Sequence, residues 1–336
     1  MRRVENFPDI VRDAHLETEF IDARTTKHIR YKAGTSARQR RLRKEEQWTR
    51  SCELGRGAYG IVYLETRGQD DKLRKRAVKE IRKYIRPGQP LDYDRELEAI
   101  FKFSHDRYAH CFVTADGWYD DDDSVYISME YFELGDLHAH LMARKKIPEY
   151  ETRQIAMQLL DGLAFMHENN FVHRDLKPGN IMVVATGPEW YVKIADFGIS
   201  KRRREDVSTV NTMGRGTYGY AAPEVLGLGD TPENASYTFL VDMWSLGAVL
   251  YKLLTSETAF GNIVSLLKYA EREIDFPSPP LNAAKVSELG SDFILALMSP
   301  QPPARPPAAS AKVHPWFFYS IEAPARMENG GVSSIE

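Results

Sequence analysis

Hydrophobic periodicity in this chain changes once, near Phe132, and that single change limits the architectures open to it. From Trp48 to about Phe132 apolar residues come in short β-branched and aromatic runs, IVYLET, RAVKEI, CFVTADGWY and VYISMEYF, which predict strands. One segment among them, LDYDRELEAIFKFS, sets Leu97, Ile100 and Phe101 on one face and predicts a helix. Beyond Phe132 the period becomes helical. In YETRQIAMQLLDGLAFMHENN, Ile155, Leu159, Leu163 and Met166 form an apolar stripe at helical spacing. VDMWSLGAVLYKLLTS is apolar nearly all round, as a helix buried inside a large lobe is. The expected fold is therefore α+β and bilobal: a small β-rich lobe with one key helix, residues 48–131, and a larger, mainly α-helical lobe, residues 132–320. A cleft between two such lobes is a frequent place for ligands.

A length of 336 residues suffices for two lobes with their own cores. Residues 1–47 carry scattered hydrophobes and the basic run RTTKHIRYKAGTSARQRRLRKEE. They read as a flexible, solvated extension rather than a nucleic-acid or nuclear-import patch. The segment around ARMENGGVSSIE, within residues 321–336, reads as a flexible tail. The net charge of -3 argues against a general electrostatic grip on nucleic acid, and no specific nucleic-acid binding is expected. Cys52 and Cys111 build no disulfide framework and lack metal-ligand spacing, which favours a reducing, intracellular setting, cytoplasmic or nuclear. MRRVENFPDIVRD has no apolar h-region, and WSLGAVLYKLL is too short to span a bilayer and carries Lys252, so no membrane span is expected.

Chemistry concentrates in FVHRDLKPGNIM, Phe171–Met182. Charged groups are seldom wedged among residues that want burial unless partners or chemistry hold them there. Asp175 and Asn180 offer a carboxylate able to accept a proton and an amide oxygen able to coordinate a cation. Lys177, between them, can neutralise developing phosphate charge. On spacing alone, a solvated turn between two hydrophobic elements explains the stretch equally well. LGRGAYGIVY places Gly55, Gly57 and Gly60 where backbone amides can approach phosphate oxygens. These glycines run into a strand, not a helix, which disfavours a dinucleotide-binding turn. Lys79 lies in the strand-like RAVKEI, and the following helix offers Glu96 or Glu98 as its partner. In KIADFGIS, Asp196 follows a short strand, a position that suits Mg2+.

Glycine loop, strand lysine, helical glutamate, HRDLKPGN, DFG and AAPE occur in that order. In this the chain resembles the eukaryotic protein kinase family, from about Trp48 to Tyr319. The resemblance implies that Gly55, Gly57 and Gly60 cover the phosphates of ATP, with Leu54 also at the nucleotide. Lys79 would contact those phosphates and pair with Glu96, chosen over Glu98 by the register REL…SH. Asp175 would orient and deprotonate the substrate hydroxyl with Lys177 beside it, while Asn180 and Asp196 hold Mg2+. Val62, Ala77 and Met182 would sandwich the adenine, Met129 would stand behind it, and the backbone of Glu130 and Phe132 would meet its edge. Glu224 of AAPE would pair with Arg305, and Asp242 would brace the catalytic loop.

Lys177 and GTYGYAAPE, with Thr217, imply serine and threonine acceptors in protein substrates. Arg174 implies an activation-loop phosphate on Ser208, Thr209 or Thr212, Thr212 first, with Lys201 as a second cation and an upstream kinase as donor. Asp136 stands where some kinases use an acid to prefer arginine ahead of the acceptor, but Gly179 replaces the second acid, so that preference is half encoded. The alternative to an ATP-dependent Ser/Thr kinase is a pseudokinase scaffold that binds nucleotide and partners without catalysis. Its usual mark is a missing lysine, base or metal ligand, and Lys79, Asp175, Asn180 and Asp196 are all present.

Overall fold

The computed structural model describes residues 7–36, 39–57, 60–68, 73–86, 89–91, 93–144, 146–196, 218–228 and 239–318. The small lobe opens with α1 (Asp9–Asp13), β1 (Glu17–Phe20), β2 (Thr25–Ser36), β3 (Gln39–Arg56), β4 (Gly60–Arg67) and β5 (Arg74–Arg82). A short ribbon, β6 (Tyr84–Arg86) and β7 (Gln89–Pro90), leads to α2 (Asp94–Phe103), then β8 (Ala115–Asp120) and β9 (Ser124–Met129). Seven of these strands form one sheet in the order β1-β2-β3-β4-β5-β9-β8, with every neighbouring pair antiparallel.

Both faces of this sheet are covered. On one, Ile81, Val125 and Ile127 join Leu97, Ile100 and Phe101 of α2 in the main core. On the other, Val78, Tyr119 and Tyr126 pack with Leu16 in a second, smaller core. That β9 is buried along all but its last residue, with Val125, Tyr126 and Ile127 consecutive in it, follows from having two covered faces.

Leu16 belongs to the first 47 residues, and there the expectation of a flexible extension fails. Residues 9–47 form α1, β1, β2 and the first half of β3, and His15 makes a parallel bridge to Trp118 of β8. That bridge brings the first strand of the sheet round to the last. Most residues of β2 and β3 that point inward are polar, Trp48 being the apolar exception: Thr26 faces Trp48, and His28 faces Glu46. His28 is held on both ring nitrogens. Arg76 Nη2 donates to Nε2 at 2.7 Å, which leaves Nδ1–H to donate to Thr18 Oγ1 at 2.8 Å. Arg76 also gives two bonds to buried Glu65, at 3.0 and 2.6 Å. Burial, with Arg76 and Arg30 nearby, pushes the pKa of His28 down from 6.5 to about 3, so it sits inside as the neutral imidazole.

The large lobe contains α3 (Leu137–Arg144), α4 (Glu149–Glu168), the antiparallel ribbon of β10 (Ile181–Ala185) and β11 (Tyr191–Ile194), and α5 (Leu240–Thr255). It ends with α6 (Ile263–Ala270), α7 (Pro279–Ala283), α8 (Glu288–Leu297) and α9 (Ala308–Ala311). In α5 only Leu240, Lys252 and Thr255 escape burial, because α4, α7 and α8 pack around it. The bilobal α+β architecture read from the periodicity is the one the chain has.

Candidate active site

Between the lobes lies a cleft of about 320 Å³. Leu54, Gly55, Val62, Ala77, Lys79 and Glu96 line it from the small lobe. Met129, Glu130 and Phe132 line the connection, and Asn180, Met182 and Asp196 the large lobe. Among the lining residues that sequence reasoning missed are Ile100, Val113 and Ala195. The signal for Ile100 was available: it follows Glu96 by one helical turn on α2 and so shares its face.

Lys79 comes from the middle of β5, opposite Val62 on β4 and Ile127 on β9. Its ammonium donates to Glu96 Oε1 at 2.7 Å and also reaches the carboxylate of Asp196. Glu98, on the same helix, is not its partner. Burial alone would favour neutral lysine, but Asp196 and Glu96 hold the pKa of Lys79 above the usual lysine range. Burial pushes Glu96 up, with Lys79 opposing; Lys79 holds Asp196 below the usual carboxylate range against its own burial.

Gly57 N donates to Gly60 O at 2.9 Å and closes the turn between β3 and β4. A Cβ on Gly55 would meet open space and one on Gly57 only an ordinary contact with Gly60 O at 3.9 Å, whereas a Cβ on Gly60 would lie 2.0 Å from the carbonyl oxygen of Glu80 on β5. Gly60 is therefore glycine because two backbones meet there, whatever it does for a ligand.

The loop before β10 is built on Asp242 of α5. Its buried carboxylate accepts from His173 N at 2.8 Å, Arg174 N at 2.7 Å and His167 Nε2 at 2.9 Å. Burial would raise its pKa, but the bond from His167 and the charges and amides around it hold it below the carboxylate range. Arg174 takes a positive φ of 64° and Asp196 one of 58°, conformations an L residue keeps only where its surroundings enforce them. His173 Nε2 donates to Ala195 O at 3.1 Å, tying this loop to the segment carrying Asp196.

Pro178 opens a single 3-10 turn, Pro178–Asn180, as its fixed φ favours. That turn folds Asn180 back so that Nδ2 donates to Asp175 O at 2.8 Å and to Asp175 Oδ2 at 3.3 Å. Lys177 Nζ donates to the same Oδ2 at 2.8 Å. Asn180, Asp196 and the buried Lys79–Glu96 pair thus line one cleft, and Asp175 with Lys177 beside it is not among the lining residues but is bonded to Asn180 on its wall.

This geometry has known counterparts. The sequence pattern of the family described as "Protein kinase domain" matches residues 48–317. Calcium/calmodulin-dependent protein kinase type 1 of Caenorhabditis elegans is 33% identical over 268 residues, covering 78% of this chain and 72% of that protein. The chain belongs to the eukaryotic serine/threonine protein kinases. Serine/threonine-protein kinase RAD53 of Saccharomyces cerevisiae is 35% identical to this kinase over 276 residues, which is 80% of the chain but 32% of that longer protein. Among solved structures, Rad53 1-466 in complex with AMP-PNP aligns with a TM-score of 0.65 at 32% identity, covering 80% of this kinase and 65% of that chain.

Farther from the cleft, Arg305 Nη1 and Nη2 donate to the two carboxylate oxygens of Glu224 at 2.5 and 2.9 Å, with both side chains fully buried. Glu130 was expected to act through its backbone; its carboxylate is engaged by Lys193 at 2.8 and 3.0 Å and by Thr114 N at 2.7 Å. Phe197, Gly198, Lys201, Ser208, Thr209, Thr212 and Thr217 lie outside the described residues. Among the described residues no helix is long and apolar enough to cross a membrane.

Proposed function

We propose that this kinase transfers the γ-phosphoryl group of ATP to serine and threonine hydroxyls of protein substrates, with Asp175 as the base. The observation that carries this reading is the link between two constellations at Asn180: Lys79, Glu96, Asp196 and Asn180 line the cleft, and Asn180 is bonded to Asp175, which also holds Lys177. Gly55, Gly57 and Gly60 lie over the phosphates, Lys79 aligns them, and Glu96 keeps its ammonium in place. Leu54, Val62, Ala77, Met129 and Met182 enclose the base, and the backbone of Glu130 and Phe132 meets its edge. Asp175 accepts the hydroxyl proton as the oxygen attacks, and Lys177, already on its Oδ2, faces the charge that develops on the transferred group.

The residues present fit Mg2+. The amide nitrogen of Asn180 is committed to Asp175, which leaves its oxygen as the acceptor, and Asp196 supplies a carboxylate across the same cleft. Asn180 and Asp196 would hold the ion, since Mg2+ usually takes one or two protein carboxylates and completes its shell with phosphate and water. When bound it supplies charge neutralisation at the phosphates.

Regulation by an activation-loop phosphate on Ser208, Thr209 or Thr212, Thr212 first, belongs to the same reading. It is supported by Arg174 directly before the base and by the hydroxyl-rich segment KRRREDVSTVNTMGRG. Mass spectrometry of the active protein is expected to find the loop modified; an unmodified loop in active protein would remove this part.

The test of the catalytic reading is Asp175→Ala. Peptide phosphorylation is expected to fall at least about 10²-fold, the ordinary contribution of a positioned base, while nucleotide affinity and melting behaviour stay near those of the wild type. Near-normal transfer in that variant would refute the assignment.

A further inference from the structure

α2 is the only element among the described residues that carries Glu96, and it is poorly equipped to hold its own position. It has ten residues, has Tyr93 at its N-cap position with no side-chain cap bond, and follows the short β6–β7 ribbon. A helix that short is marginal by itself, so its seat comes from what packs on it.

Part of that seat is supplied from residues 7–16, well ahead of the segment 48–317 that the family pattern covers. α1 packs against α2. Val11 is fully buried and Phe7 6% exposed, in the same core as Leu97, Ile100 and Phe101. The ring of Phe7 meets Trp118 edge-on at 5.3 Å and Tyr93, at the start of α2, at 6.3 Å.

Polar bonds fix the segment in register. Trp118 Nε1 donates to Val11 O at 2.7 Å, Trp118 N to Ala14 O at 3.0 Å, and Leu16 N to Trp118 O at 2.7 Å. His15 Nε2 lies 3.2 Å from Asp120 Oδ1, and Lys83 donates to the other oxygen of Asp120 at 2.6 Å. Gly117, at a φ of 150°, leaves the room this approach needs: a Cβ there would come within 2.7 Å of Leu16. One face of α2 is thus pinned by Phe7, Val11 and Trp118 while Glu96 reaches Lys79 from the cleft side.

We propose that residues 7–16 are a positioning brace for phosphoryl transfer: Phe7 and Val11, seated on α2 and Trp118, hold Glu96 on Lys79, so that this chain supplies its own support for the nucleotide site. Phe7 and Val11 are positioning residues, touching neither nucleotide nor substrate. The role in turnover rests on the proposed kinase activity; the mechanical role does not.

The experiment uses the full chain carrying Phe7→Ala with Val11→Ala, with Phe7→Leu as the conservative variant. Three results are expected. The double variant lowers kcat/KM for ATP by about tenfold or more, the scale of one lost coupling, and Phe7→Leu retains most of it. In a Glu96→Gln background the same two substitutions cost little further, because their effect runs through Glu96. Hydrogen exchange quickens in α2 but not in α4 or α5.

An equal loss with and without Glu96, or exchange that quickens evenly through both lobes, would overturn the brace and leave a merely structural role. So would unchanged α2 exchange. If the double variant fails to fold, Val11→Ala alone is read by the same exchange comparison. Because exchange needs no turnover, a wild type without transfer activity would count against the proposed function, while α2 protection would still decide the brace.

Discussion

At Lys79 three charges meet in a space that excludes most water, and their balance sets what the residue can do. Two carboxylates around one ammonium keep it ionised throughout the ordinary pH range, so it does not exchange protons, which agrees with the phosphate-aligning role proposed for it. Glu96→Gln keeps the shape but removes one of the two charges. It is expected to lower kcat/KM for ATP by about 10-fold to 10²-fold with little change in melting temperature, since Asp196 still faces the ammonium. Steady-state kinetics at saturating peptide checks this; an unchanged value would show that the pair is idle. At this scale the sequence was highly legible. Asp175, Asn180 and Asp196 stand in short, ordered motifs, and the register of REL…SH separated Glu96 from Glu98 correctly as the contact of Lys79. What it hid was the reason for Gly60, which depends on the approach of the Glu80 carbonyl from a strand twenty residues away.

At the scale of elements, the strands before Trp48 show how a folded segment can pass for a solvated one. Hydrophobic periodicity detects inward-facing residues only when they are apolar. In β2 and β3 the inward positions ahead of Trp48 hold Thr26, His28 and Glu46, the last two satisfied by Arg76, Thr18, Lys44 and Arg67, so no apolar period marks these strands. A signal did exist in VYISMEYF, whose consecutive Val125, Tyr126 and Ile127 asked for cover on both sheet faces.

The same buried histidine makes this closure pH-sensitive. Unfolded, His28 takes up a proton near 6.5; folded, it refuses one until about 3. Between those values the unfolded chain binds more protons, so stability rises with pH through that window and levels off above it. The slope from His28 approaches about 1.4 kcal/mol per pH unit at most. Urea unfolding at pH 7.5, 6 and 5 is expected to show wild type losing more stability on acidification than His28→Gln. Parallel losses in the two proteins would show that the imidazole is already protonated or exposed.

For the whole molecule, the change of period near Phe132 pointed to two lobes because strands dominate one and helices the other. Long-range tertiary ties were less visible. Glu224 and Arg305 are 81 residues apart, yet their buried ion pair fastens the AAPE segment to the far end of the large lobe, with Arg305 also over the ring of Trp244 at 5.1 Å. Removing one partner leaves a buried charge unanswered. Arg305→Met is therefore expected to cost about 3–5 kcal/mol in chemical denaturation, and a loss below about 1 kcal/mol would mean that Glu224 finds water or another cation.

The proposed function turns on one arrangement, a cleft in which the terminal phosphate of ATP would face Asp175. The most direct measurement is transfer of labelled γ-phosphate, with Mg2+, from ATP to a degenerate peptide library with serine, threonine or tyrosine as acceptor. The expected result is label on serine and threonine peptides, abolished by Asp175→Ala. Folded, nucleotide-binding protein that labels none of them above the level of that variant would contradict the account and leave a scaffold in place of an enzyme.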